Sequence, residues 1–232
     1  MKNRAFGRVS VTLPELDDGY LSNVTSLDHP RGAVQEFRYA DADLRTLDLA
    51  KAGLSAGRIT RLRAERVHLE EVRADSVEFN GCDLGAAQWT DSKLSRVVFR
   101  DCKLMGATLS RLTLDNVLFD GCKLDYATFD QIRASGPVVF TKCALVESTF
   151  TGCDLSRAAI DQCTLRRAEF DRGSYKELDL RGNDLTTLRG VGHLSKVIID
   201  RGQEVELTLA LVAELGVVFG DELDDPSPGS RG

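Results

Sequence analysis

Large apolar residues recur at every fifth position over most of this chain, and the residues between them are mostly polar. The pattern is plainest in Cys82-Asp83-Leu84, Ala87-Gln88-Trp89, Ser92-Lys93-Leu94, Val97-Val98-Phe99, Cys102-Lys103-Leu104 and Ala107-Thr108-Leu109. A large residue sits at the centre of each five (position i), and a small one, usually Cys, Ala, Ser or Val, sits at i−2. A period of five fits neither a helix at 3.6 nor an alternating strand at 2. A fixed internal period is the mark of a repeat architecture. A longer period lies above it. Cys82, Cys102 and Cys122 are 20 residues apart, Cys143 follows after 21 and Cys163 after 20. Each stands two residues before a leucine: Leu84, Leu104, Leu124, Leu145 and Leu165. Four fives therefore close one lap, and equivalent positions stack on the next lap at about 4.8 Å.

The pattern predicts an all-β solenoid, a four-sided β-helix with i and i−2 pointing inward on every side. One side carries the leucines just named. The next carries Trp89, Leu109, Phe129, Phe150 and Phe170, and a third Leu94, Leu114, Ala134, Leu155 and Tyr175. The fourth carries Phe79, Phe99, Phe119, Phe140 and Ile160. Stacked rings add about 0.5–1.5 kcal/mol per pair beyond the area they bury. The phase extends back through Leu44, Leu49, Leu54, Ile59, Ala64, Leu69 and Ala74. Where the centre shrinks to Ala64, the i−2 residue grows to Leu62, a swap that keeps volume constant. The phase slips by one at Ser135-Gly136-Pro137, which reads as a bulge at a corner.

These fives resemble the pentapeptide-repeat proteins, whose pattern is roughly A(D/N)LXX. Asp at i−1 recurs at Asp43, Asp48, Asp83, Asp154, Asp179 and Asp184. The resemblance covers about residues 40 to 199 and implies a right-handed quadrilateral β-helix of about eight coils. It also implies a function. Some members resemble B-DNA in shape and charge, bind type II topoisomerases, and protect them from quinolones or other gyrase poisons.

Outside the repeat, Arg8 to Leu13 alternates and reads as a strand, and His29-Pro30-Arg31-Gly32 reads as a turn. Residues 1–39 are expected to cap the first coil, because an open β-helix end exposes unpaired backbone. The repeat spans 40–200, with Val197-Ile198-Ile199 as its last strand. Gln203 to Leu215 reads as a helix stopped by Gly216, and Val217 to Phe219 as a short strand. Leu207, Leu209, Leu211, Val212 and Leu215 go most of the way round that helix, so it is expected to cap the last coil and meet a second subunit. The tail, 220–232, has the composition of a disordered acidic segment.

Charge tests the topoisomerase reading. The chain is −6 overall, but residues 40–200 hold 24 acidic and 23 basic residues, while residues 201–232 hold 7 and 2. The acidity thus lies in the C-terminal segment. A DNA mimic needs dense carboxylates along the rod, and a near-neutral rod does not suggest direct nucleic-acid binding either.

Chemistry is sparse. No Walker loop, HExxH, GxSxG or GxGxxG is present. His29, His68 and His193 lie in separate regions. The cysteine file occupies a position that requires a small apolar side chain, so the thiols are expected to be reduced core residues in a cytoplasmic protein rather than metal ligands. No enzyme activity and no cofactor is expected. No apolar run is long enough to cross a membrane, and the start lacks the apolar region of a signal peptide.

One row breaks the polar rule. On the phenylalanine side, the outward i−1 residue is Val98, Leu118, Val139 and Ala159 on successive laps. An exposed apolar strip of this kind is expected to bind a partner; the other readings are that N-terminal or loop residues cover it, or that β-branched residues simply suit strands. Two functions stay open. One is a rigid, dimeric interaction module whose partner is DNA gyrase or topoisomerase IV, and the other is a self-assembling scaffold.

Overall fold

Backbone pairing between positions one lap apart organises the whole rod. The computed structural model describes residues 2–28 and 32–220. The acidic tail from Asp221 and most of the turn at 29–32 lie outside the described residues. Two parallel sheets form the stack. A seven-stranded sheet runs from Asp43–Ala50 through Arg63–Glu70, Gln88–Thr90, Thr108–Ser110, Thr128–Asp130 and Thr149–Thr151 to Glu169–Asp171. A ten-stranded sheet runs from Ser22–Asn23 to Ala159–Asp161. The leucine side is tied by single bridges that link Arg63, Asp83, Lys103, Lys123, Ala144 and Thr164 in turn. Register-mates are 20 residues apart, as in Val98↔Leu118, until Leu118↔Val139 makes the step 21.

The inward files form one continuous core. Leu84, Leu104, Leu124, Leu145 and Leu165 are buried, as are Cys82, Cys102, Cys122, Cys143 and Cys163. Phe79, Phe99, Phe119 and Phe140 stack with centroids 4.8, 4.8 and 4.7 Å apart. The phase slip is absorbed at one corner, where the Ser135 and Gly136 amides both donate to the Leu114 carbonyl.

The corners explain the five-residue side. The residue at i+2 turns the chain with positive φ, as at Ala86 (52°), Asp91 (51°), Arg96 (51°) and Asp101 (52°) around one lap. Twenty-three described non-glycine residues have positive φ, and none is Val, Ile or Thr. A β-branched residue is a severe outlier in this region, so the corner selects unbranched side chains, most of them polar.

Volume is balanced along the axis as well as within a side. Phe37 occupies an i−2 position normally reserved for a small residue. Its register-mate one lap on is Gly57, and a Cβ built there would sit inside the Phe37 ring.

Three expectations are corrected. Residues 1–39 do not simply cap the first coil. Ala33–Gln35 and Phe37–Ala40 pair into the ten-stranded sheet, so the stack begins before residue 40. Upstream of them, β1 (Lys2–Phe6) and β2 (Val9–Leu13) form an antiparallel hairpin that packs against the middle of the rod. At the far end the last lap is irregular: Ile198 makes only a single bridge to Asp179, and Val217–Phe219 form no strand. By the seven-stranded sheet the solenoid has about seven turns. The helix is present as α1 (Glu204–Leu215), closed by Gly216 at φ 61°.

Gly57→Ala is expected to destabilise the rod by about 1–3 kcal/mol, the usual range for overpacking. Phe37→Leu in the same chain should return much of that loss. Equilibrium denaturation of the two variants and their combination tests the pairing, and additive losses would sink it.

Candidate interaction surfaces

The apolar row expected to meet a partner is not free. Val98, Leu118, Val139 and Ala159 are each at most 2% exposed. They form a separate buried cluster with Phe6, Val9, Val11 and Leu13 of the hairpin. The alternation in β2 puts Val9, Val11 and Leu13 on one face, and that face lies on the row. The Thr12 amide donates to Asn116 Oδ1 at 2.8 Å, and Arg4 Nη1 lies 2.6 Å from Asp120 Oδ2. The strip is therefore a contact surface, but its occupant is the chain's own N-terminus.

The hairpin turn reaches further along the same side. Gly7 (φ 55°) lies so close to Arg181 and Asp179 that an added Cβ would stand 2.7 Å from Arg181 Nη2. Asp179 is nearly buried and takes two bonds from the Arg181 guanidinium, at 2.9 and 2.6 Å. Burial works to raise its carboxyl, but the Arg181 bonds outweigh this and hold it below its ordinary value.

Several charges elsewhere pair one lap apart. Arg61 clamps Asp41 through two bonds of 2.6 and 2.7 Å, and Arg111 clamps Asp91 through 2.7 and 2.6 Å. Lys103 meets Asp83 at 3.0 Å, and Arg58 meets Glu78 at 2.9 Å. Hydrogen bonds from Arg61 and Arg111 lower the carboxyls of Asp41 and Asp91. Exposed pairs add little stability each. Their effect is to neutralise those carboxylates locally, in a coil region that is near-neutral by sequence.

The thiols have a structural task. Cys102, Cys122 and Cys143 each donate Sγ to a main-chain carbonyl on the preceding lap, that of Phe79, Phe99 and Phe119, at 3.3 to 3.4 Å. All six cysteines are free and buried. Cys153, outside the main file, lies inward in the same way, and burial pushes its thiol up to about 12. Among the described residues no group of His, Cys, Asp and Glu could hold a metal ion.

The C-terminal helix divides its residues. Ala210 is buried, Leu207 packs on the core and Val212 is half-buried, whereas Leu209, Leu211 and Leu215 are exposed. Val205, Val217, Val218 and Phe219 extend this exposed apolar surface. What seats the helix is polar. Gln203 Nε2 donates to the carbonyls of Leu180 and Asn183, Glu206 accepts from the Leu185 amide, and Glu214 accepts from the Val191 amide at 2.7 Å. These side chains satisfy backbone groups that the last lap leaves open. The spacing shows their origin: Asn183 and Gln203 continue the cysteine file at 20-residue steps. Beside the helix lies a cleft of about 720 Å³ lined by Arg167, Asp171, Arg189, His193 and Glu214.

A stacked four-sided solenoid built on fives defines the class of protein. Residues 72–136 match the pentapeptide repeat region model, and residues 138–172 match that for pentapeptide repeats in eight copies. Residues 72–172 of the coil region thus carry pentapeptide repeats almost without a break. No curated protein matches the chain. Among solved structures, a trypsin-treated variant of QnrB1, described as a plasmid-mediated fluoroquinolone resistance protein, is 17% identical with TM-score 0.50, over 79% of this chain and all of that one. Full-length QnrB1 is 14% identical with TM-score 0.43, over 78% and 100%. HetL, a pentapeptide repeat protein involved in heterocyst differentiation regulation from the cyanobacterium Nostoc sp. strain PCC 7120, is 16% identical with TM-score 0.27, over 71% and 86%. At these identities the likeness concerns fold alone.

Asp179 makes the hairpin end of the rod sensitive to acid. Its carboxyl is lowered in the folded chain, so its contribution is complete above the unfolded value of about 4 and is lost as pH falls through the folded value. Wild type is expected to be more stable than Asp179→Asn at pH 7, with the gap closing below about pH 4. A gap that stays constant down to pH 2 would remove Asp179 from this role.

Proposed function

We propose that this protein is a non-enzymatic, cytoplasmic interaction module: a rigid rod that pairs through its C-terminal helix and acts on a type II topoisomerase. The observation that carries the module reading is the exposed apolar surface of Val205, Leu209, Leu215, Val217, Val218 and Phe219. Exposed apolar side chains gathered in one segment suit a contact site, and this segment ends a rod whose other apolar row is already covered. A second copy is the occupant, because an end-on surface on a helix suits an isologous dimer. Six free, buried thiols support a reducing compartment. Among the described residues no helix is long and apolar enough to cross a membrane.

The topoisomerase partner rests on the family resemblance and on the fold shared with a fluoroquinolone resistance protein. The observation that favours the scaffold reading is the pairing of charges one lap apart, which leaves the rod without a DNA-like field.

Two measurements separate these readings. Leu209→Glu with Leu215→Glu is expected to reduce the solution mass to that of one 25.4 kDa chain while leaving the fold intact; an unchanged mass would remove the helix from the dimer. A gyrase supercoiling assay with and without a fluoroquinolone tests the partner. Inhibition or protection at about micromolar protein supports the topoisomerase reading, and no effect selects the scaffold.

A further inference from the structure

One outward row of the ten-stranded sheet carries the whole N-terminal segment. In register it reads Arg38, Arg58, Glu78, Val98, Leu118, Val139, Ala159 and Asp179. The seven steps at about 4.8 Å span roughly 34 Å. Asp18 accepts from Arg38 and Arg58 at the first end of this row, at 3.0 and 2.6 Å. The β1–β2 hairpin covers the four apolar members, and its turn at Gly7 abuts Asp179 at the far end. Residues 4 to 18 thus touch laps that are otherwise connected only through their immediate neighbours.

That arrangement is unusual for a solenoid. In a stacked repeat each unit contacts only the units above and below, so stability is close to a sum of local terms and distant laps open independently. Here Arg4–Asp120 and Thr12–Asn116 join positions 116 and 104 residues apart. The hairpin's cluster is also separate from the main core, so it can leave without removing any contact between laps.

We infer that the N-terminal segment is a lengthwise clasp that makes the coils open and close as one unit. Undocking it leaves each lap seated on its neighbours but frees the terminal laps to open before the central ones.

The single tryptophan allows the test. Trp89 is buried in the middle of its sheet, between laps carrying Leu69 and Leu109. Its fluorescence reports the central laps, whereas far-ultraviolet circular dichroism reports all of them. In denaturant, the full-length protein is expected to give coincident transitions by both probes. Val11→Asp places a charge at the centre of the clasp contact. In that variant the dichroism should fall before the tryptophan signal, with a reduced slope for each. Leu109→Ala, which removes core contacts without touching the row, should lower the midpoint and keep the probes coincident. If Val11→Asp fails to fold, Val11→Ala is judged by the same separation of probes. Transitions that stay coincident with an unchanged slope in the Val11 variant would overturn the clasp, even if its midpoint falls. So would separate transitions in the unaltered protein.

Discussion

The left-handed corner is the constraint on which this rod depends. Up to four turns of positive φ per lap bring the chain back over itself after 20 residues, and only then can each amide reach a carbonyl on the next lap. The left-handed region costs an ordinary residue on the order of 1 kcal/mol, and the chain adopts it at 23 described non-glycine positions. Nothing local compensates such a sum. The compensation is collective: shared backbone pairing, continuous leucine and phenylalanine files, and side chains that complete the ladder where backbone groups are left over. Ser92 and Asn183 show the last of these. Both sit at i−2, and both hydrogen-bond main-chain groups of their own and the preceding lap, Ser92 with the Thr90 carbonyl and Val72 amide, Asn183 with the Leu180 carbonyl and Cys163 amide. The cysteines occupy the same place with a weaker donor. Small size and a polar tip are both wanted there, which is why Cys, Ser and Asn alternate with Ala and Val.

The inward half of the fold was legible because burial leaves its mark directly on composition. Leu84 to Leu165 and Phe79 to Phe140 could be placed on their sides from spacing alone, and the slip at Ser135 showed where register changes. The corner rule was equally present, since Val, Ile and Thr avoid the positive-φ positions, but it is a pattern of exclusion and is easily passed over. The ends were harder. A period says nothing about segments that do not repeat, and β1 has no alternation that points to a partner more than 100 residues away. The signal that existed was split in two. Val98, Leu118, Val139 and Ala159 announced an apolar row, and Val9, Val11 and Leu13 announced an apolar face of matching chemistry. Both faces wanted cover, and joining them would have assigned the hairpin to the row.

The C-terminal helix shows the same limit from the other side. Its ring of leucines and valines suggested an apolar seat on the last lap. The seat is instead built from Gln203, Glu206 and Glu214, each bonded to main-chain groups, with Ala210 the one fully buried apolar residue of the helix. An open β-helix end presents unpaired amides and carbonyls, and these cost more to bury unsatisfied than apolar contact returns. Polar side chains were therefore required at the junction, and the apolar ones were left facing outward.

That division links the two ends of the molecule. At the N-terminus an outward apolar row is covered by the chain itself, and its polar flanks, Asn116, Asp120 and Asp179, fix where the cover lies. At the C-terminus an outward apolar surface has no cover among the described residues. The rod pairs many of its charges lap by lap and covers one apolar row with its own N-terminus, so the C-terminal residues are the largest group of exposed apolar side chains among those described. On the proposed reading, recognition falls to the C-terminal end, where a second copy would set two rods in line.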